Sequence, residues 1–219
     1  MNKEQLARYI DHTLLKPNIT FDQIDTLCKE ASIYNFASVC IPPYFIKRAV
    51  ENLQDYNSVG VCTVIDFPLG YDFTSAKLES IKKSIDFGVD EIDAVINIPA
   101  VKNADWKTVE YELESMRTIT KIHDKILKII FETCYLTKNE IEHLAKLCIK
   151  YDVDFLKTST GFGTGGATVE DVKLMKSIAG DKAKVKASGG IRTREDALKM
   201  INAGAERIGA SAGIKIVSE

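Results

Sequence analysis

Eight times along this chain a short β-branched or apolar run gives way to a longer stretch with helical periodicity, and no low-complexity linker breaks the rhythm. The strand candidates are His12–Leu15, Phe36–Ile41, Val59–Ile65, Glu91–Ile96, Leu127–Glu132, Phe155–Thr158, Lys184–Ala187 and Arg207–Ala210. The later runs are apolar along their length rather than alternating, the pattern of parallel strands covered on both faces. Eight units point to an α/β fold of the closed (β/α)8 TIM-barrel type, with eight parallel strands and a short extra N-terminal helix. An open doubly wound sheet shares the alternation, so the number of units carries the distinction. At 219 residues the chain suits one sizeable core, and a single domain over 1–219 is expected.

Helix boundaries are legible between the strands. Thr20…Gln23 and Thr137…Glu140 fit the capping box, in which a hydroxyl and a longer polar side chain satisfy orphan amides reciprocally. Thr168…Asp171 and Thr193…Asp196 are shorter-armed versions. After Thr137, Ile141, Leu144, Cys148 and Tyr151 fall on one stripe at helical spacing. Gly88, Gly180 and Gly204 stand where helices end in a left-handed residue.

Barrels of this type carry their chemistry at the C-terminal ends of the strands. Charges inside apolar strands are therefore informative. Asp93, Lys157 and Lys186 interrupt EIDAVIN, DFLKTST and KVKASGG. A buried charge is costly unless it is paired or used. A buried lysine beside a second ammonium loses its proton more readily, and a free amine is what attacks a carbonyl. Neighbouring strands run about 5 Å apart, so Lys157 and Lys186, on consecutive candidates, meet if both point inward. The alternative is a structural ion pair, or stems that carry the ammonium groups out to water.

Three glycine-rich loops follow the last strands: Gly161–Gly166, Ser188–Gly190 and Gly209–Gly213. The first matches G-x-G-x-x-G, yet it follows the sixth strand rather than opening a first βαβ unit, and no acidic residue ends a strand about 20 residues on. It reads as a loop with exposed amides. Loops after strands seven and eight commonly cradle phosphate in such barrels, and Arg192 and Lys215 add charge. A phosphorylated substrate is expected. The competing explanation is that these glycines only permit tight turns.

Other residues constrain the chemistry by what they lack. The three histidines, His12, His123 and His143, show no H-x-H or H-x-x-x-H spacing, so no metal or other cofactor is expected. The five cysteines are widely spaced, with no CxxC pair, which fits a reducing cytoplasm. Cys40 and Cys134 end strands and could border the pocket; free cysteines are more often small core residues. Glu132 reads equally as a site residue or a structural contact, and Trp106 as packing. A net charge of −2, with no long basic run, speaks against nucleic-acid binding. The polar N-terminus has no apolar signal-peptide core, and no run approaches membrane-spanning length.

Taken together, IDHTLLKP (Ile10–Pro17), FPLG (Phe67–Gly70), DEIDAVIN (Asp90–Asn97), KIIFET (Lys128–Thr133), DFLKTSTGF (Asp154–Phe162), VKASGGIR (Val185–Arg192) and ERIGASAG (Glu206–Gly213) resemble deoxyribose-phosphate aldolase. The resemblance spans nearly the whole chain. It implies a TIM barrel that reversibly cleaves 2-deoxy-D-ribose 5-phosphate to acetaldehyde and D-glyceraldehyde 3-phosphate in deoxyribonucleotide catabolism. By motif, Lys157 corresponds to the family's Schiff-base lysine, Lys186 to its second lysine and Asp93 to its proton-relay aspartate. Gly161, Gly189, Gly190, Gly209 and Ser211 fall where the family holds phosphate. Two positions depart from the pattern: Asp66 where Gly is frequent, and Ala212 where a second Ser is frequent. The resemblance leans to a homodimer, as does the base rate for soluble enzymes. The rival readings are a class I aldolase for another phosphorylated aldol, and a catalytically silent barrel that binds sugar phosphates.

Overall fold

The computed structural model describes residues 1–56 and 58–219. Among them, eight strands close into a parallel barrel in chain order, with β8 pairing back onto β1. The strands are β1 (Ile10–Thr13), β2 (Ser38–Ile41), β3 (Gly60–Ile65), β4 (Glu91–Val95), β5 (Ile126–Ile130), β6 (Phe155–Lys157), β7 (Lys184–Ser188) and β8 (Arg207–Ala210). The expected alternation is observed, with most boundaries displaced by one or two residues: β2 starts at Ser38 rather than Phe36, and β5 ends at Ile130 rather than Glu132. β1 starts at Ile10 rather than His12, because Ile10, Asp11 and His12 are needed to meet Ile208, Gly209 and Ala210 on β8. Leu14 and Leu15 consequently belong to the loop above β1.

The helices are α1 (Lys3–Ala7), α2 (Phe21–Tyr34), α3 (Ile46–Leu53), α4 (Thr74–Asp86), α5 (Ile98–Lys102), α6 (Trp106–Ile122), α7 (Lys138–Lys150), α8 (Val169–Ala179), α9 (Arg194–Asn202) and α10 (Gly213–Ser218). α1 is the expected extra N-terminal helix, and it buries Leu6 and Ala7. Among the described residues, no helix is long and apolar enough to cross a membrane.

Local chemistry sets the helix starts. Thr20, Thr137 and Thr193 form reciprocal capping boxes with Gln23, Glu140 and Asp196. Thr168 caps α8 from one side only, because the Asp171 carboxylate is drawn instead to Lys138 on α7. Gly88, Gly180 and Gly204 all adopt positive φ, as expected at helix ends.

The main apolar core lies between the strands and the surrounding helices. Ile92 and Ala94 on β4, Leu127 and Ile129 on β5, and Val109 and Leu113 on α6 are all fully buried there. Each buried aliphatic side chain contributes on the order of 1.5–3 kcal/mol. The stripe on α7 behaves as its spacing predicts: Ile141, Leu144 and Cys148 face this core, and Tyr151 packs at its margin. The inside of the barrel is different, and there the strands carry charge.

Candidate active site

Every second residue of a strand faces the barrel axis. At mid-height this alternation gathers charges that a TIM barrel normally replaces with branched aliphatic side chains. Asp93 on β4 is fully buried at the centre. Its Oδ2 accepts from Lys157 Nζ and from Lys186 Nζ, each at 2.7 Å, and its Oδ1 accepts from Lys128 Nζ at 2.8 Å. A second tier lies toward the strands' N-terminal ends. Lys128 pairs with Glu91 at 2.6 Å, Lys186 with Asp11 at 2.5 Å, and Arg207 with Asp11 at 2.6 Å and Glu91 at 3.1 Å.

The three expected catalytic residues therefore meet, with a change in their electrostatics. Lys157 and Lys186 approach each other across an Asp93 oxygen rather than as bare like charges. Burial by itself disfavours every charge here, but the partners outweigh it. Lys128, Lys157 and Lys186 hold the Asp93 carboxyl well below its usual range. Against the same burial, Arg207, Lys186 and Lys128 depress Asp11. In the opposite sense, Asp11 and Asp93 overcome burial to raise the pKa of Lys186, and Asp93, Cys62, Glu91 and Asp11 raise that of Lys128. Lys186 is thus a firmly held ammonium.

Access separates the lysines. Lys128 and Lys186 are 0% exposed, whereas Lys157 is 3% exposed and lines a cavity of about 350 Å³ at the barrel mouth. The same cavity is lined by Gly161, Gly189, Gly190, Gly209 and Ser211, the five residues expected at phosphate, and by Arg192 and Lys16. Lys215 does not belong with them; it reaches Glu219 one turn along α10, at 3.4 Å. The loops after β6 and β7 touch backbone to backbone. A Cβ on Gly166 would lie 2.3 Å from the Gly189 carbonyl oxygen, and Gly189 itself has a φ of +87°. The Ala167 amide donates to the Ser188 and Gly189 carbonyls at 3.1 Å, closing that contact.

Several ambiguous residues find their places. Glu132 is buried, and its carboxylate accepts from the Thr160 hydroxyl and, at 3.3 Å, from the Thr160 amide. It ties down the loop that follows Lys157. Trp106 packs on the His143 ring with 4.1 Å between centroids. Asp66 adopts a left-handed φ of 48°, which accounts for a position where glycine is frequent. Its carboxylate turns to Lys77 Nζ at 3.1 Å, and Lys77 also meets Glu112 at 2.6 Å. Cys40 is fully buried beside its register partner Cys62, under Leu15 and Phe67, rather than at the pocket border. Lys128, Asp11, Glu91 and Arg207 were not among the expected site residues. Their signal was the one that marked Asp93: a charge within a strand.

A family-wide sequence match adds to this geometry. The DeoC/LacD family aldolase pattern matches residues 5–219. The chain belongs to the DeoC/LacD family of aldolases. The deoxyribose-phosphate aldolase of an Exiguobacterium species is 53% identical, over 98% of this chain and 96% of that protein. The enzyme of the same name from Thermococcus kodakarensis is 49% identical, over 99% of this chain and 97% of its own length. The solved deoxyribose phosphate aldolase from Aeropyrum pernix, described as tetrameric, superposes with a TM-score of 0.91 at 31% identity, covering 99% of this chain and 91% of that one. As a DeoC/LacD member the chain is an aldehyde-lyase, and a buried lysine opening onto a polar cavity is an arrangement suited to carbonyl chemistry.

Proposed function

We propose that this aldolase reversibly cleaves 2-deoxy-D-ribose 5-phosphate to acetaldehyde and D-glyceraldehyde 3-phosphate through a Schiff base on Lys157. One observation carries the reading. Of the lysines around Asp93, Lys157 is the one that reaches the cavity, opposite the glycine loops and Ser211. The charge balance supports it. Asp11, Glu91 and Asp93 face Lys128, Lys157, Lys186 and Arg207, so full ionisation leaves one buried positive charge unmatched. Arg207 cannot release a proton. Lys128 meets three carboxylates and Lys186 two, while Lys157 meets Asp93 alone. Lys157 is therefore the least charge-paired of the three lysines, and the one placed to act as the nucleophile.

The neutral amine attacks the aldehyde carbon of the open-chain sugar, and loss of water leaves an iminium. The C2–C3 electron pair moves onto C2 and is stored as an enamine, while the C3 hydroxyl proton leaves with the help of a base. Glyceraldehyde 3-phosphate departs. Protonation of the enamine and hydrolysis then release acetaldehyde and restore the amine. Asp93 and Lys186 relay these protons through solvent in the cavity. Gly161, Gly189, Gly190, Gly209, Ser211 and Arg192 hold the phosphate, and that remote binding fixes the reacting carbons over Lys157.

Borohydride reduction in the presence of acetaldehyde, followed by peptide mapping, tests the nucleophile: a two-carbon adduct is expected on Lys157. An adduct on another lysine reassigns the nucleophile, and turnover without any adduct removes the imine. Product analysis with deoxyribose 5-phosphate separates this substrate from a longer phosphorylated aldol. The same proposal includes a one-domain chain, a homodimer readable by sedimentation, and a cytoplasmic location, in keeping with five free thiols.

A further inference from the structure

Glu132 is a buried carboxylate that the mechanism leaves unused. It is 1% exposed, and its backbone takes a left-handed φ of 55°, which a non-glycine residue keeps only where its surroundings impose it. Among the described residues no ammonium or guanidinium group pairs with it. Its side chain accepts from the Thr160 hydroxyl, from the Thr160 amide at 3.3 Å and from the Cys134 thiol at 3.9 Å. A carboxylate buried without a cation is costly unless such donors hold it.

The direction of these bonds matters. A carboxylate only accepts, and Thr160 has a single hydroxyl proton. That proton goes to Glu132, which leaves the hydroxyl's lone pairs for the Phe162 amide, donating to it at 3.0 Å. The chain is thereby folded back at Gly161, where φ is +86° and a Cβ would lie 3.7 Å from the Gly189 Cα. Thr160, Gly161, Phe162 and Gly189 all line the Lys157 cavity. Glu132 lies behind this wall, so close that a Cβ on Gly163 would come within 3.1 Å of its carboxyl carbon. Lys157 is held differently. Its carbonyl accepts from the Phe131 amide at 2.9 Å, and the Thr158 carbonyl from the Thr133 amide at 3.0 Å, bonds in which no side chain takes part.

We propose that Glu132 is a positioning residue for the substrate's phosphate: through Thr160 it sets the wall that Gly161 forms against Gly189, and it leaves the nucleophile untouched. This role rests on the phosphate contacts proposed above. It divides the stretch from Lys157 to Gly166 into two independently held parts. Backbone bonds to the end of β5 fix the amine that does the chemistry, and one buried carboxylate fixes the turn that faces the anion. Affinity for a phosphorylated sugar then depends on a residue that never touches it.

Glu132→Gln keeps the volume but sets an amide donor against one of two groups that need an acceptor. In steady-state kinetics on the whole protein, KM for deoxyribose 5-phosphate should rise at least about tenfold. For unphosphorylated 2-deoxyribose, kcat/KM should change by less than about twofold, and borohydride trapping of acetaldehyde on Lys157 should proceed as in the wild type. Thr160→Val should reproduce the KM rise from the other partner. The double variant should be no worse than the weaker-binding single one, as for residues acting through one bond. Circular dichroism checks each fold, and should Glu132→Gln not fold, Thr160→Val carries the same test. Equal losses for the two sugars, a fall in kcat at unchanged KM, or loss of the acetaldehyde adduct each overturns the proposal. So does a lower KM, which would make the carboxylate only a nearby negative charge. If the wild-type chain does not cleave deoxyribose 5-phosphate, the substrate assignment fails, and inorganic phosphate followed by phosphorus NMR still decides the wall. It should bind Glu132→Gln at least about tenfold more weakly, and equal affinity overturns the role.

Discussion

Lys157 and Lys77 are both buried and both held by carboxylates, yet their surroundings leave opposite charges unmatched. Around Asp93 the cations outnumber the carboxylates, and the surplus sits on the one lysine at a cavity. Lys77, between β4 and the α4–α6 layer, meets two carboxylates, Asp66 and Glu112, and donates to the Gly70 and Val95 carbonyls at 3.0 and 2.8 Å. There the surplus is negative, and burial pushes the Glu112 carboxyl up despite the neighbouring ammonium. Both clusters store electrostatic tension. An opening toward substrate is what turns that tension into reactivity, and without one a buried lysine only ties a loop to a strand.

Replacing each lysine is the most direct way to break this comparison. Lys157→Ala should lower kcat on the order of 10⁵-fold and leave the thermal midpoint nearly unchanged, since Lys157 meets one carboxylate where Lys128 meets three and Lys186 two. A large loss of stability instead would place Lys157 with Lys77 as a structural group. Lys186→Leu should cost roughly 10²–10⁴-fold in rate. It should also shift the acid limb of the pH–rate profile upward, because Asp93 Oδ2 is then left to Lys157 and holds its proton more tightly. A profile that does not move would strip Lys186 of that electrostatic part. Lys77→Met should reverse the pattern, with about 3–5 kcal/mol lost in urea denaturation and a much smaller change in turnover. Pairing it with Glu112→Leu should recover most of that stability.

The smallest expected effect is in pH-dependent stability. Asp11 and Asp93 have depressed folded values, so their contribution is complete above the unfolded carboxylate value of about 4 and disappears as pH falls through the folded values. Lys128 and Lys186 are raised, so theirs is complete below about 10.4 and is lost only as pH rises through their elevated values. Glu112, also raised, favours the fold while protonated and loses that contribution as pH climbs through its folded value. Melting curves should therefore show a broad plateau with a gentle decline that Glu112→Leu in the Lys77→Met background abolishes. A decline that persists in that double variant would locate it elsewhere.

Much of this was legible from residue order. Strand identity, three of four capping boxes and the meeting of Asp93, Lys157 and Lys186 follow from periodicity and from charges placed where apolar residues belong. β1 begins two residues before the local pattern suggests, because its boundary is set by pairing with β8, almost 200 positions away, which no local pattern encodes. Lys128 was passed over although ILKII carries the same signal as EIDAV. The interposition of Asp93 between two ammonium groups depends on which oxygen each side chain reaches, and that is a matter of three dimensions. The sequence marks Asp66 as a departure near the barrel mouth but not its partner: Lys77, on the next helix, reaches both the Asp66 carboxylate and the Gly70 carbonyl.

The contact of Gly166 with Gly189 ties the segment that leaves the nucleophile to the segment that leaves the relay lysine. There is no room for even a methyl group between them, so a side chain at either glycine should displace both loops. A member of this fold that came to accept a longer aldol would have to gain the length elsewhere in the cavity, around Leu14, Leu15 and Phe162, where side chains line it.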